Sequence, residues 1–244
     1  MARKNRRKGF DQEFSDFSRE FEEYNEPSYK TGFHYIKSAK VDYKTNSQRK
    51  CHDIIKTNTL SFIGGVAGTG KSFFACVEAV EALKSGKAKK IILSRPMVEA
   101  SKTMGHLPGS QDDKIKPYLL PLLDNFEILL GEEGVKKLLE DKVIRFEPIN
   151  FLRGRTLRDS FVILDEMQNA TKSQLKLAIT RLGENSQCVV TYDGEQVDIK
   201  VEDSCINDIP KFLYAKNIGH FEFSSEDVVR SEIVSIIIEI YNKS

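Results

Sequence analysis

The sequence predicts a three-layer α/β/α sandwich around a mainly parallel sheet of about five strands. Three observations predict it. Short apolar runs alternate along the chain with amphipathic stretches of helical period. The runs are rich in β-branched and aromatic residues and nearly uninterrupted, as strands covered on both faces are. The first run also leads at once into a glycine-rich turn ending in Lys71-Ser72, a strand–loop–helix junction.

Taken in order, residues 1–44 are polar and charged, with Phe and Tyr at no steady period, and read as a partly ordered extension turning at Glu26-Pro27-Ser28. The domain then occupies 45–244. Cys51, Ile54 and Ile55 make 48–56 a short amphipathic helix. Strands are expected at 60–63, 90–94, 143–146, 161–164 and 188–192, with 220–223 as a weaker sixth. Helices are expected at 72–85, 113–130, 132–140, 172–182 and 226–241. Thr171 is placed to cap the helix that follows it, and Gly183 to stop it.

Composition excludes several classes. The 244 residues carry 37 basic against 36 acidic side chains, a formal charge of +1, so any nucleic-acid contact must be a local patch. No apolar run reaches the ~18 residues of a membrane span. The basic N-terminus has no apolar stretch behind it, so no secretory leader is expected. Cys51, Cys76, Cys188 and Cys205 are scattered without a CxxC pair, and the four histidines add no zinc spacing. Reduced thiols in a cytoplasmic protein are the expectation.

Gly65-Val66-Ala67-Gly68-Thr69-Gly70-Lys71-Ser72 satisfies GxxxxGK[ST], a match with a chance probability of roughly one per cent in such a chain. Glycines let successive N–H groups converge on phosphate oxygens, and the following helix adds its positive end. Lys71 is expected on the β- and γ-phosphates and the Ser72 hydroxyl on Mg²⁺, with Phe73 beside the nucleotide. Downstream, a second apolar run ends in Asp165-Glu166 at the same carboxyl edge. Asp165 there suits the metal, and Glu166 suits the orientation or deprotonation of water, which a hydrolase needs and a kinase does not.

The residues after that pair carry a family likeness. Asp165-Glu166-Met167-Gln168-Asn169-Ala170-Thr171 resembles the PhoH family of ATPases, whose core is similar to the nucleotide-binding half of superfamily 1 helicases. Ser94-Arg95-Pro96, Leu107-Pro108-Gly109, Pro117-Tyr118, Arg153-Gly154-Arg155-Thr156-Leu157, Thr191-Tyr192-Asp193 with Gln196-Val197-Asp198, and Asp227-Val228-Val229-Arg230 agree with it in order across 46–241. Tyr192 departs from the pattern, which carries Gly there. Its ring would crowd the γ-phosphate or turn outward.

The likeness implies a RecA-like P-loop fold, ATP and Mg²⁺ as ligands, and Gln196 and Arg230 as responders to the γ-phosphate. Gln48 would read adenine, with a helix-surface role as the bland alternative. It also implies coupling to single-stranded nucleic acid, RNA favoured. Arg153, Arg155 and Arg158 beside Phe151 are the candidate surface, with Arg95 at the sheet edge and Lys172, Lys176 and Arg181 as an extension. His106 reads as a loop residue. With one set of motifs in the chain, a motor would work as a ring or other homo-oligomer, with Arg230 acting across the interface. The alternative is an ATP-gated binding switch with slow hydrolysis, and a small-molecule kinase stands third.

Overall fold

In the computed structural model, which describes residues 38–96 and 111–229 (side chains of 111–117 excepted), six strands form one sheet whose pairings are all parallel. These residues all belong to one unit, 32–244. The elements run α1 (Asn46–Thr57), β1 (Leu60–Gly65), α2 (Lys71–Lys84), β2 (Lys90–Ser94), α3 (Gln111–Leu130), α4 (Glu132–Glu140), β3 (Ile144–Phe146), β4 (Ser160–Leu164), α5 (Lys172–Ile179), β5 (Gln187–Thr191) and β6 (Ile218–Phe223). The strand order is β3-β2-β4-β5-β1-β6. This is the α/β/α P-loop architecture of RecA-like proteins. Its functional consequence lies in the order: β5 sits between the strand that feeds the phosphate loop and the strand that ends in Asp165.

The sheet is apolar on both faces because helices cover both. One face of β4, Val162 and Leu164, packs with Leu60, Phe62, Ile92 and Val190 against Ile149, Leu152, Leu175 and Ile209. The alternate residues, Phe161 and Ile163, point the other way and are equally buried. There α2 crosses β1, β2, β4 and β5, with α1 and α3 beside it. Burying each such Phe, Ile or Leu contributes roughly 1.5–3 kcal/mol. Among the described residues no helix is long and apolar enough to cross a membrane.

Three expectations need correction. The segment at 220–223 is a full sixth strand, paired with β1 from Leu60↔Ile218 to Gly65↔Phe223. Helix α5 ends at Ile179, not at 182, so Gly183 is not its stop. Arg181–Gly183 instead runs beside Leu157, with Leu157 N–H donating to Arg181 O and Gly183 N–H to Leu157 O, both at 2.8 Å. A Cβ at 183 would meet Arg158 Cγ and Thr156 Cγ2 at 2.8 Å, so that close passage explains the glycine. Of the helix expected at 226–241, Ser225–Asp227 is a single 3₁₀ turn followed by extended backbone, and residues from 230 lie outside the described part. The expected cap at Thr171 is real, forming a capping box with Gln174, and α1 has a cap of its own, Thr45 Oγ1 accepting from Gln48 N–H at 3.1 Å.

One buried pair joins α1 to α2. His52 Nδ1 and Glu78 Oε1 lie 2.6 Å apart, and among the described residues neither atom has another partner. Burial raises the Glu78 carboxyl from 4.5 to about 7 and lowers His52. A carboxyl raised in the folded state holds its proton more tightly there, so its stability share is present at low pH and is lost as pH rises from ~4.5 through ~7. The His52 shift acts oppositely, losing stability as pH falls through about 6.5. At pH 8 only the carboxyl matters. Glu78→Gln is therefore expected to stabilise the protein at pH 8 by up to about 3 kcal/mol and to lose that advantage near pH 5. Urea midpoints at both pH values check this; equal midpoints for the two proteins at pH 8 would contradict it.

Candidate nucleotide-binding site

The phosphate loop turns where its glycines allow. Gly65 has φ +124°, and a Cβ there would fall 2.6 Å from Phe223 O on β6. Gly70 has φ +96° and begins α2 with no side-chain cap. The first N–H groups of α2 are thus left for an anion, in line with the helix's positive end. Thr69 Oγ1 donates to Val66 O at 3.0 Å and closes the turn. Lys71 is only 8% exposed, and its Nζ donates to Gly65 O (2.5 Å) and Val66 O (2.9 Å). Burial lowers its pKa, while Asp193, Glu166, Asp165 and Glu222 oppose that shift.

Asp165, 2% exposed, leaves β4 directly opposite the loop. Its Oδ1 accepts from Ser72 Oγ at 2.7 Å and from Thr191 Oγ1 at 2.6 Å, and Arg95 Nη1 lies 3.9 Å from Oδ2. Hydroxyl and carboxylate oxygens placed together beside an anion-binding loop suit a hard divalent cation that keeps much of its water. Ser72 and Asp165 are the groups that would hold Mg²⁺.

Glu166 adopts the left-handed conformation (φ +54°), which costs about 1–3 kcal/mol in a non-glycine residue and marks a position held by its surroundings. Its N–H donates to Thr191 Oγ1 at 3.3 Å, and its Oε2 accepts from Gln168 Nε2 at 2.6 Å.

The other expected residues divide. Gln48 is buried, its Oε1 accepts from Lys44 N–H at 2.7 Å, and its Nε2 lies 3.9 Å from where a Cβ on Gly70 would stand, so it adjoins the loop. Phe73 is half-buried, edge-on to Phe74, which stacks on Tyr43. Gln196 is exposed on a turn closed by its N–H to Asp193 O at 3.3 Å, while Asp193 itself is buried. Arg95 lies beside Asp165 and donates to Tyr118 O at 3.4 Å, so it adjoins this centre. Arg155 is engaged by Glu147 at 2.5 Å, whereas Arg153, Arg158 and Phe151 are exposed together.

Arg230, Leu107, Pro108 and His106 lie outside the described residues. The segment before Arg230 is nevertheless tied in. Val229 N–H donates to Gly68 O at 3.1 Å, and Asp227 hydrogen-bonds Ser224 and Ser47.

Tyr192 neither crowds the loop nor turns out to water. Its ring lies across β1, where a Cβ on Gly64 would come within 2.4 Å of Cζ, and its hydroxyl donates to Glu222 Oε2 at 2.5 Å beside His220 Nε2 at 2.9 Å. Burial and that bond to Glu222 push the phenol well up. Gly64 is the counterpart that makes room for the ring.

Thr191, Gln168 and Asn169 stand in the segments that carry the family likeness, but the sequence assigned them no role. A threonine closing an apolar strand and two amides just past an acidic pair were the available signals.

The model of the PhoH-like protein family matches residues 40–242. The chain belongs to this family. Similar PhoH-like proteins include one from Bacillus subtilis (43% identical, 85% of this chain and 66% of that protein) and one from Synechocystis (37%, 84% and 63%). Protein PhoH of Escherichia coli K12 is 34% identical over 77% of this chain and 54% of its own length. The chain thus spans between about half and two thirds of these relatives. Among solved structures, the large terminase of a thermophilic bacteriophage in complex with ADP aligns with TM-score 0.49 at 12% identity, covering 80% of this chain and 49% of the terminase. Pif1 helicase from Candida albicans aligns with TM-score 0.43 at 15% identity, covering 83% and 44%.

Proposed function

We propose that this PhoH-like chain binds and hydrolyses ATP with Mg²⁺ and couples the cycle to single-stranded nucleic acid, RNA favoured, as a homo-oligomer. The observation that carries the ATPase reading is the single hydrogen bond from Ser72 to Asp165, which unites the phosphate loop with the acidic strand end around a buried Lys71. Uncapped N–H groups of α2 and the loop amides cradle the phosphates, and Lys71 exchanges its loop carbonyls for phosphate oxygens. Bound Mg²⁺ would supply neutralisation of charge on the β- and γ-phosphates. Glu166, held by Gln168 and Thr191, orients the attacking water and takes its proton. Gln48 is placed for the base, and no guanine-reading NKxD occurs in the sequence. Gln196 and Arg230 remain the candidates for sensing the γ-phosphate, the latter from a neighbouring subunit.

The nucleic-acid reading rests on Arg153, Arg158 and exposed Phe151, since charge follows a backbone while a ring stacks on a base for about 1–3 kcal/mol. Arg95 and Arg155 also lie beside carboxylates, 3.9 Å from Asp165 and 2.5 Å from Glu147. The second reading, a slowly hydrolysing switch, shares every group at the ATP site. Turnover separates the two. Single-stranded RNA is expected to raise ATP turnover several-fold, and Phe151→Ala with Arg153→Ala to abolish the rise while sparing the basal rate. RNA binding without any change in turnover would favour the switch.

A further inference from the structure

Gln168 is wholly buried, and each end of its amide is used. Nε2 donates to Glu166 Oε2 at 2.6 Å, and Oε1 accepts from Asp193 N–H at 3.0 Å. The chemistry fixes which end is which: an ionised carboxylate only accepts and a backbone N–H only donates, so a flipped amide would lose both bonds. The backbone beneath is pinned as well, with Ser204 Oγ donating to Gln168 O at 2.7 Å and Cys205 Sγ to Met167 O at 2.9 Å. The next amide repeats the pattern. Asn169 Nδ2 donates to Asp198 Oδ2 at 2.9 Å, and Asp198 N–H donates to Asn169 Oδ1 at 2.7 Å. Two consecutive side chains therefore strap the turn carrying Glu166 to the loop 193–198.

That loop begins near Lys71 of the phosphate loop. Asp193 is buried and is the first of the carboxylates felt by Lys71. Glu166 stands in a left-handed conformation that persists only while its neighbours hold it. We propose that Gln168 is a positioning residue that sets the aim of Glu166 from the position of the Asp193 loop, so that water is oriented only when that loop closes on a γ-phosphate. Gln168 touches neither nucleotide nor water. It transmits a displacement of Asp193 N–H through one rigid amide to the Glu166 carboxylate, and Asn169 keeps the two segments in register.

This inference rests on the hydrolytic role given to Glu166, and the test separates the two. Gln168→Met fills the same volume without either bond, and its kcat is expected to fall about 10–100-fold with KM for ATP changed less than about threefold. Gln168→Glu keeps an acceptor for Asp193 N–H but sets a second carboxyl against Glu166. At pH 8 the two repel, and kcat falls at least about tenfold. Thermal melting and ATP affinity of both variants establish that they fold and bind. A Gln168→Met or Gln168→Glu rate within about twofold of the parent, or a loss that appears in KM and not in kcat, would overturn the positioning role. If instead Glu166→Gln hydrolyses ATP normally, the assignment of Glu166 fails first.

Discussion

Glu166→Gln is expected to keep ATP bound and to lower hydrolysis by about 10²–10⁴-fold. The substitution preserves shape, and the new carbonyl oxygen still accepts from Gln168 Nε2, so the turn keeps its form. The charge and the proton-accepting ability disappear. Nothing that grips the phosphates changes, because Lys71, Ser72 and the α2 N-terminus lie on other elements. Phosphate release and calorimetric ATP affinity measure the two consequences separately. A normal rate would remove Glu166 from the chemistry, and lost affinity with a normal rate would make it a binding group.

Lys71→Met gives the opposite pattern. Hydrogen bonds to charged groups contribute about 1.5–3 kcal/mol each, so losing the ammonium should weaken ATP binding about 10–100-fold, and ADP binding by less. Hydrolysis falls with it. The fold should survive, because a thioether side chain avoids the desolvation that lowers the Lys71 pKa, and only its bonds to Gly65 O and Val66 O are lost. Calorimetry with both nucleotides and a melting curve test this. Unchanged affinity in a folded variant would show that the loop amides alone hold the phosphates.

What the sequence revealed and what it hid follow one division. The loop at 65–72 and the acidic pair after β4 are local patterns in which residue type and spacing carry the chemistry. Both stand where the strand–helix alternation placed them. The groups that were missed act through partners distant in sequence. Gln168 meets Asp193, 25 residues on, and His52 meets Glu78 across two helices. Nothing near Gln168 in the chain announces that its amide will be buried between Glu166 and the loop after β5. Gly183 was misread for the same reason: a glycine after a helix suggests a stop, but the close passage of Thr156 and Arg158 requires it here. The sixth strand was faint because its pairing with β1 is long-range and, among the described residues, no strand lies on its outer side. The direction of the Tyr192 ring depended on Glu222 and His220, which only the folded sheet brings near.

The central claim is a cation shared by the phosphate loop and the strand end. Crystals of Glu166→Gln grown with ATP and Mn²⁺, read by anomalous scattering, test it most directly. One strong peak is expected within coordination distance of Ser72 Oγ, with Asp165 reached directly or through water, and the triphosphate over residues 65–72. Manganese bound away from both side chains, or ATP seated elsewhere on the protein, would contradict it.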